Sequence, residues 1–187
     1  MCFCPVFNTC PDLVSGRTIM DARILVAYAS RKGSTAEIAQ AIGKELAAAG
    51  LAVDVAGIKT VSTLAGYTAV VVGGPLYMGS VDGAVGKFVG RYREQLQNLP
   101  VAAFAVGIAP KSPDPASVGM AMDALKKSLG PLTPVSSILF AGNLDPAKIN
   151  FVMRKFLAMA KIPSGDFRDW DAIAAWAKEL PGKLHRG

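Results

Sequence analysis

The sequence predicts an α/β protein built on a three-layer, doubly wound, five-stranded parallel sheet in the order 2-1-3-4-5, with a helical insertion before the last helix. Three observations predict it. Short apolar runs such as Ile24-Leu25-Val26-Ala27 and Val70-Val71-Val72 do not alternate with polar residues, so both faces of each strand are covered. Segments of helical period alternate with those runs, which is the pattern of strand–helix–strand units. Five such strands match the count of the doubly wound sheet whose order reverses between its first and third strands.

The first strand is expected over Arg23–Ala29. A helix follows over Thr35–Ala49, with Ile38, Ala39, Ile42 and Leu46 on one face and Gly50 placed to end it. Leu51–Ile58 reads as the second strand, its Asp54 marking a less buried position. Tyr67–Gly73 is the third and most apolar strand. Ala84–Leu99 reads as one helix, with Val85, Phe88, Val89, Tyr92 and Leu96 on one side and Pro100 as its stop. Val101–Ile108 is the fourth strand, Pro115–Leu129 a helix, Val135–Ala141 the fifth strand, and Trp170–Leu180 the closing helix. Residues 145–169 interrupt the alternation and carry a helical stretch of their own, Ala147–Lys161.

The chain has 187 residues, 51% of them hydrophobic, enough for one domain over 23–187 with a real core. No apolar run reaches the roughly 20 residues of a membrane span. Residues 1–22 lack the charged start and long apolar stretch of a signal peptide and are expected to be a disordered leader, with Met20 a second candidate start; the protein is expected in the cytoplasm. All three cysteines (Cys2, Cys4, Cys10) lie in the leader, with no histidine near enough to complete a metal site, and no metal is expected. The net charge of +6 points to an acidic partner, but no Lys/Arg run is interleaved with aromatics, so nucleic acid is not expected.

In a doubly wound sheet ligands sit beyond the carboxyl ends of the strands, where the order reverses. Two loops should meet there. The first is Ser30-Arg31-Lys32-Gly33-Ser34-Thr35. A helix N-terminus exposes unpaired N–H groups at a positive dipole end. Gly33 allows close backbone approach, Ser30, Ser34 and Thr35 add hydroxyls, and Arg31 and Lys32 add charge. Neither GxxxxGK[ST] nor GxGxxG occurs here, so one phosphate suits the loop better than a triphosphate or a dinucleotide. The bland alternative is that Ser34 or Thr35 only caps the helix. The second loop, Gly74-Pro75-Leu76-Tyr77-Met78-Gly79, offers an aromatic ring, two flexible apolar side chains and bracketing glycines. A flat heteroaromatic group could lie against Tyr77, with Leu76 or Met78 beneath it and the glycines admitting backbone to its edges. A single phosphate joined to a flat ring describes FMN.

At these loops the chain resembles the flavodoxin family, and the fold it implies is flavodoxin-like. S-R-K-G-S-T is similar to the family's phosphate loop, with Lys32 where a threonine is usual. G-G-P-L-Y-M-G is similar to the loop beside the flavin ring, with Tyr77 as the stacking residue. The resemblance implies a third contact near Ala109-Pro110-Lys111. A narrower resemblance, carried by Leu76–Gly79, Phe140–Gly142, the insertion Phe151–Lys161, Ser164–Asp166 and Asp169-Trp170-Asp171-Ala172-Ile173 with Trp176-Ala177, is to the branch that includes the menaquinone-dependent protoporphyrinogen dehydrogenases. It implies an FMN-dependent oxidoreductase with a quinone or porphyrinogen substrate. The insertion is shorter than in those enzymes. A single-electron carrier and a non-catalytic flavin-binding module stay open, although the basic charge opposes the acidic docking of soluble flavodoxins. In the insertion, Ile149, Val152, Met153, Phe156 and Ala160 share one helical face ringed by Lys148, Arg154, Lys155 and Lys161, a pattern suited to peripheral contact with an anionic membrane, to roofing the flavin, or to plain core packing. The single histidine, His185, sits near the C-terminus, and no catalytic side chain is nominated.

Overall fold

The computed structural model describes residues 23–108, 115–144 and 165–184. The leader with its cysteines, Ala109-Pro110-Lys111, the insertion's helical stretch and His185 lie outside the described residues. In chain order the elements are β1 (Arg23–Tyr28), α1 (Ser34–Ala48), β2 (Ala52–Gly57), β3 (Ala69–Tyr77), β4 (Ser80–Val81), α2 (Gly83–Arg91), α3 (Arg93–Gln97), β5 (Val101–Gly107), α4 (Pro115–Leu129), β6 (Ser136–Ala141), β7 (Asn143–Leu144), β8 (Gly165–Asp166) and α5 (Trp170–Leu184).

Five strands pair in parallel in the order β2-β1-β3-β5-β6, which is the expected 2-1-3-4-5. Alternate residues of each strand feed opposite layers. Ile24, Val26, Val71 and Phe104 face α1 and α5, where they pack with Ile38, Ile42, Trp176 and Leu180. Leu25, Ala27, Val70 and Val72 face the other layer, with Val85, Phe88, Leu125 and Leu129. Burial on both sides is why the strands read as unbroken apolar runs. Phe104 is fully buried, with Phe140 and Trp176 at 6.1 and 6.3 Å between ring centroids. Each such side chain stabilises the fold by about 1.5–3 kcal/mol through area burial. Gly73 makes room for it, since a Cβ there would lie 2.1 Å from the Phe104 ring. On the edge strand β2, Asp54 accepts from Tyr67 Oη and Arg23 Nε, each at 2.8 Å, which explains a carboxylate in a strand.

Four elements differ from expectation. The helix expected over 84–99 breaks at Tyr92 (φ −110°, ψ 22°) into α2 and α3, and the buried Tyr92 hydroxyl donates to the Val61 carbonyl at 2.9 Å. β3 continues four residues past Gly73, held by parallel pairing of Gly74 and Pro75 with Ala105 and Val106. It then folds back as β4, and β7–β8 form a separate antiparallel pair. α5 runs through Pro181 to Leu184, both its last-turn leucines, Leu180 and Leu184, being buried. No helix among the described residues is long and apolar enough to cross a membrane.

Candidate functional site

β1 and β3 are neighbours in the sheet, with Tyr28 beside Gly73 and Ala29 N–H donating to the Gly73 carbonyl at 2.9 Å. The chain segments leaving their carboxyl ends therefore emerge side by side. In the first, Ser30 Oγ accepts from Gly33 N–H at 3.1 Å and closes the turn. Gly33 is the N-cap of α1 with φ +99°, a conformation that L side chains rarely adopt. No side chain caps this helix, contrary to the bland alternative for Ser34 and Thr35. Thr35 is 1% exposed, and the first-turn N–H groups of Ser34 and Thr35 have no protein acceptor among the described residues. Such a helix end attracts an anion.

The second segment is not the open loop expected over Gly74–Gly79. Gly74 and Pro75 are buried strand residues, and Leu76 and Tyr77 pair with Val81 and Ser80 in a hairpin. Its two-residue turn, Met78 (φ 47°) and Gly79 (φ 75°), has positive φ at both positions, the form that follows the twist of a hairpin. Gly74 serves packing within the fold: a Cβ there would lie 2.5 Å from Val85 Cγ2. Leu76 is half-buried against Gly107, Tyr77 is half-buried, and Met78 stands 85% exposed at the tip.

Arg31 joins the two segments. Its Nε donates to Asp82 Oδ2 at 2.6 Å, and its guanidinium lies 5.6 Å from the centre of the Tyr77 ring. Asp82 in turn caps α2, Oδ1 accepting from Ala84 N–H at 3.0 Å. That backbone N–H, with Arg31 beside it, holds the Asp82 carboxyl below the usual carboxylate range. Burial pushes the Tyr77 phenol above its usual range, against the pull of Arg31. Sequence reasoning gave Arg31 only a charge and passed over Asp82, although an aspartate before Gly83-Ala84 is a helix-start signal.

The stem of the 145–164 segment stands on the same rim. β7 and β8 pair Asn143 with Asp166, Gly142 N–H donates to the Gly107 carbonyl at 3.0 Å, and Phe167 N–H donates to the Gly142 carbonyl at 3.3 Å. Arg168 bonds Asp166 and Glu37 of α1 and lies 4.6 Å over the Trp170 ring. The Asp166 carboxylate raises the Arg168 guanidinium above its usual range. No sequence signal joins residues 131 apart.

A doubly wound sheet whose switch point carries an uncapped helix end on one side and an aromatic hairpin on the other defines a flavodoxin-type protein. Residues 25–171 match the flavodoxin domain family, and the chain belongs to that family of flavoproteins. Among curated proteins it is similar to protoporphyrinogen IX dehydrogenase [quinone] of Escherichia coli strain K12, 24% identical over 172 residues, covering 84% of this chain and 94% of that protein. The same identity and coverage hold for the protein of that name in Escherichia coli O157:H7. Among solved structures it is similar to a flavodoxin from the domain Archaea (TM-score 0.53, 17% identity, covering 87% of this chain and 98% of that one). It is similar also to a cysteine-to-serine mutant of flavodoxin from Pseudomonas aeruginosa (TM-score 0.52, 17% identity, covering 87% and 98%). These two likenesses show the fold.

Proposed function

We propose that the chain is an FMN-dependent oxidoreductase that oxidises a porphyrinogen and passes the electrons to a quinone. The observation that carries the cofactor is the meeting of two unlike segments through Arg31, one ending in a helix N-terminus without its own cap, the other in Tyr77. The phosphate would be held by the first-turn N–H groups of α1, the hydroxyls of Ser30, Ser34 and Thr35, and the charge of Lys32, with Gly33 shaping the turn. The flat ring would lie against Tyr77 and between Leu76 and Met78, on a hairpin whose course is set by Gly74, Pro75 and Gly79. FMN bound there supplies the one- and two-electron chemistry; the chain binds it, orients it and shields it. No side chain is assigned an acid or base role.

The substrate class rests on the Escherichia coli relative and on the insertion, whose stem is bonded to the rim beside β5. Single-electron carriage is the second reading, and the flavodoxin-like fold favours it. Purified protein should show the absorption bands of oxidised flavin, and flavin-stripped protein should take up FMN in preference to riboflavin. Failure to take up any flavin would remove both redox readings. Anaerobic assay with protoporphyrinogen and menaquinone should show quinone-dependent porphyrin formation; a flavin that is bound but never turned over by these reactants leaves the carrier.

A further inference from the structure

Beside Arg31, on the side of α2, lies a groove of about 460 Å³ lined by Arg31, Ile58, Lys59, Asp82, Lys87 and Arg91 among others. Four cations and one carboxylate face it. Asp82 is already spent on Arg31 and on the α2 cap. Lys59, Lys87 and Arg91 are exposed, and none has a carboxylate within ion-pair distance among the described residues. Arg91 is held over the Tyr92 ring, 5.3 Å from its centre.

The pattern is helical. Lys87 and Arg91 stand one turn apart on the same side of α2, and Arg31, fastened to Asp82 at the helix start about 13 Å from Arg91 at 1.5 Å per residue, ends the row. Lys59 comes from the segment after β2. A row of that length exceeds what one phosphate can span. The floor decides between ligand classes. Phe88 and Tyr92 are only 3% and 6% exposed, and Ile58 9%. A hydrophobic small molecule would therefore gain little area there, whereas a surface bearing several carboxylates would find unpaired cations at matching reach.

We infer that this groove docks an acidic protein, its carboxylates meeting Lys59, Lys87 and Arg91 next to the flavin end of the rim. The inference deepens the redox reading, because Arg31 belongs both to the groove and to the Tyr77 contact. Its polarity is the reverse of an acidic carrier seeking basic partners. Docking of this kind acts on encounter rate and fades with salt.

The test uses the full chain with a strongly acidic ferredoxin as probe, binding being followed by calorimetry or interferometry at about 20 and about 300 mM salt. Wild type should bind at low salt and weaken steeply at high salt. Lys87→Glu with Arg91→Gln should weaken low-salt binding at least about 10-fold, and Lys87→Gln alone a few-fold, as a milder change at an exposed position. Lys44→Glu with Lys183→Glu, on α1 and α5 in the layer across the sheet from α2, is a larger change in net charge away from the groove and should leave binding within about twofold. Equal loss in both sets, or no binding by wild type, overturns the inference, as does groove-dependent binding of anionic vesicles without binding of the ferredoxin. Flavin content is read separately in every variant and should be unchanged. Its absence from wild type would sink the proposed function while the docking readout still stood.

Discussion

The N-termini of α1 and α2 open on the same rim and differ in where their negative charge comes from. α2 has its own: the Asp82 carboxylate accepts from Ala84 N–H and takes Arg31 as a second partner. α1 starts at Gly33, which has no side chain to offer, and no neighbouring hydroxyl caps it. Both ends carry the same partial positive charge, worth about 0.3–1 kcal/mol to a nearby anion at an exposed site. One of them is capped by a carboxylate; the other has no side-chain cap, and the Glu37 carboxylate of its first turn is taken up by Arg168. Under the proposed function, that difference is what makes α1 rather than α2 the end offered to a phosphate.

The comparison breaks if α1 is given what α2 has. Gly33→Asp places a side chain at φ +99° and a carboxylate beside the vacant N–H groups. Strain of about 1–2 kcal/mol and charge repulsion together should lower FMN affinity by about 100-fold or more in a fluorescence titration. Affinity equal to wild type would show that the phosphate lies elsewhere. Next in size is Tyr77→Ala, which removes the aromatic surface but leaves α1 intact; affinity should fall by about 1–3 kcal/mol, with riboflavin losing as much as FMN. The reciprocal change, Asp82→Ala, strips α2 of its cap and frees Arg31. It should cost about 1 kcal/mol of stability and lower Tm by about 2–4 °C, a larger effect on melting than on flavin binding.

Protonation reaches the same end of α2. The carboxyls of Asp54, Asp82 and Asp166 are held below their usual range, by the Tyr67 hydroxyl, the Ala84 N–H and the Arg168 guanidinium respectively. A carboxyl with a depressed folded value adds stability above its unfolded value of about 3.9 and loses it as pH falls toward the folded value. Melting temperature should thus hold between about pH 5 and 7 and drop below about pH 4, with a shallower drop in Asp82→Asn, as followed by circular dichroism. The smallest expected effect is Ser30→Ala, which removes the hydroxyl that closes the α1 turn on Gly33 N–H. FMN affinity should fall by about 0.5–1.5 kcal/mol.

The order of the sheet could be read from the chain because burial on both faces leaves consecutive apolar residues, and nothing else in a soluble protein does so as regularly. The start of α1 was legible for a similar reason: glycine and hydroxyls before an apolar helical stripe mark a helix start. The hairpin after β3 was not. Its turn is Met78-Gly79, without the Asn-Gly or Asp-Gly that announces a two-residue turn, and Pro75 discourages a strand. Pro75 still contributes its carbonyl, which accepts from Asp82 N–H at 2.9 Å. The break at Tyr92 was hidden because Val85, Phe88, Val89, Tyr92 and Leu96 keep one apolar stripe across it, while Tyr92 itself is held by a hydroxyl bond to Val61, 31 residues away. Gly74, a glycine suited by sequence to admit a ligand, leaves the space of its missing side chain to Val85.

Arg168 ties the uncapped end of α1 to a distant part of the chain. Glu37 Oε1 lies 3.6 Å from where a Cβ of Gly33 would be, close enough for its charge to repel an incoming phosphate. The Arg168 guanidinium neutralises that carboxylate and is itself fastened to Asp166 at the foot of the 145–164 segment. Without Arg168 that negative charge would stand uncompensated beside Gly33. Under the proposed function, grip on the nucleotide would therefore depend on an arginine 131 residues away from Glu37.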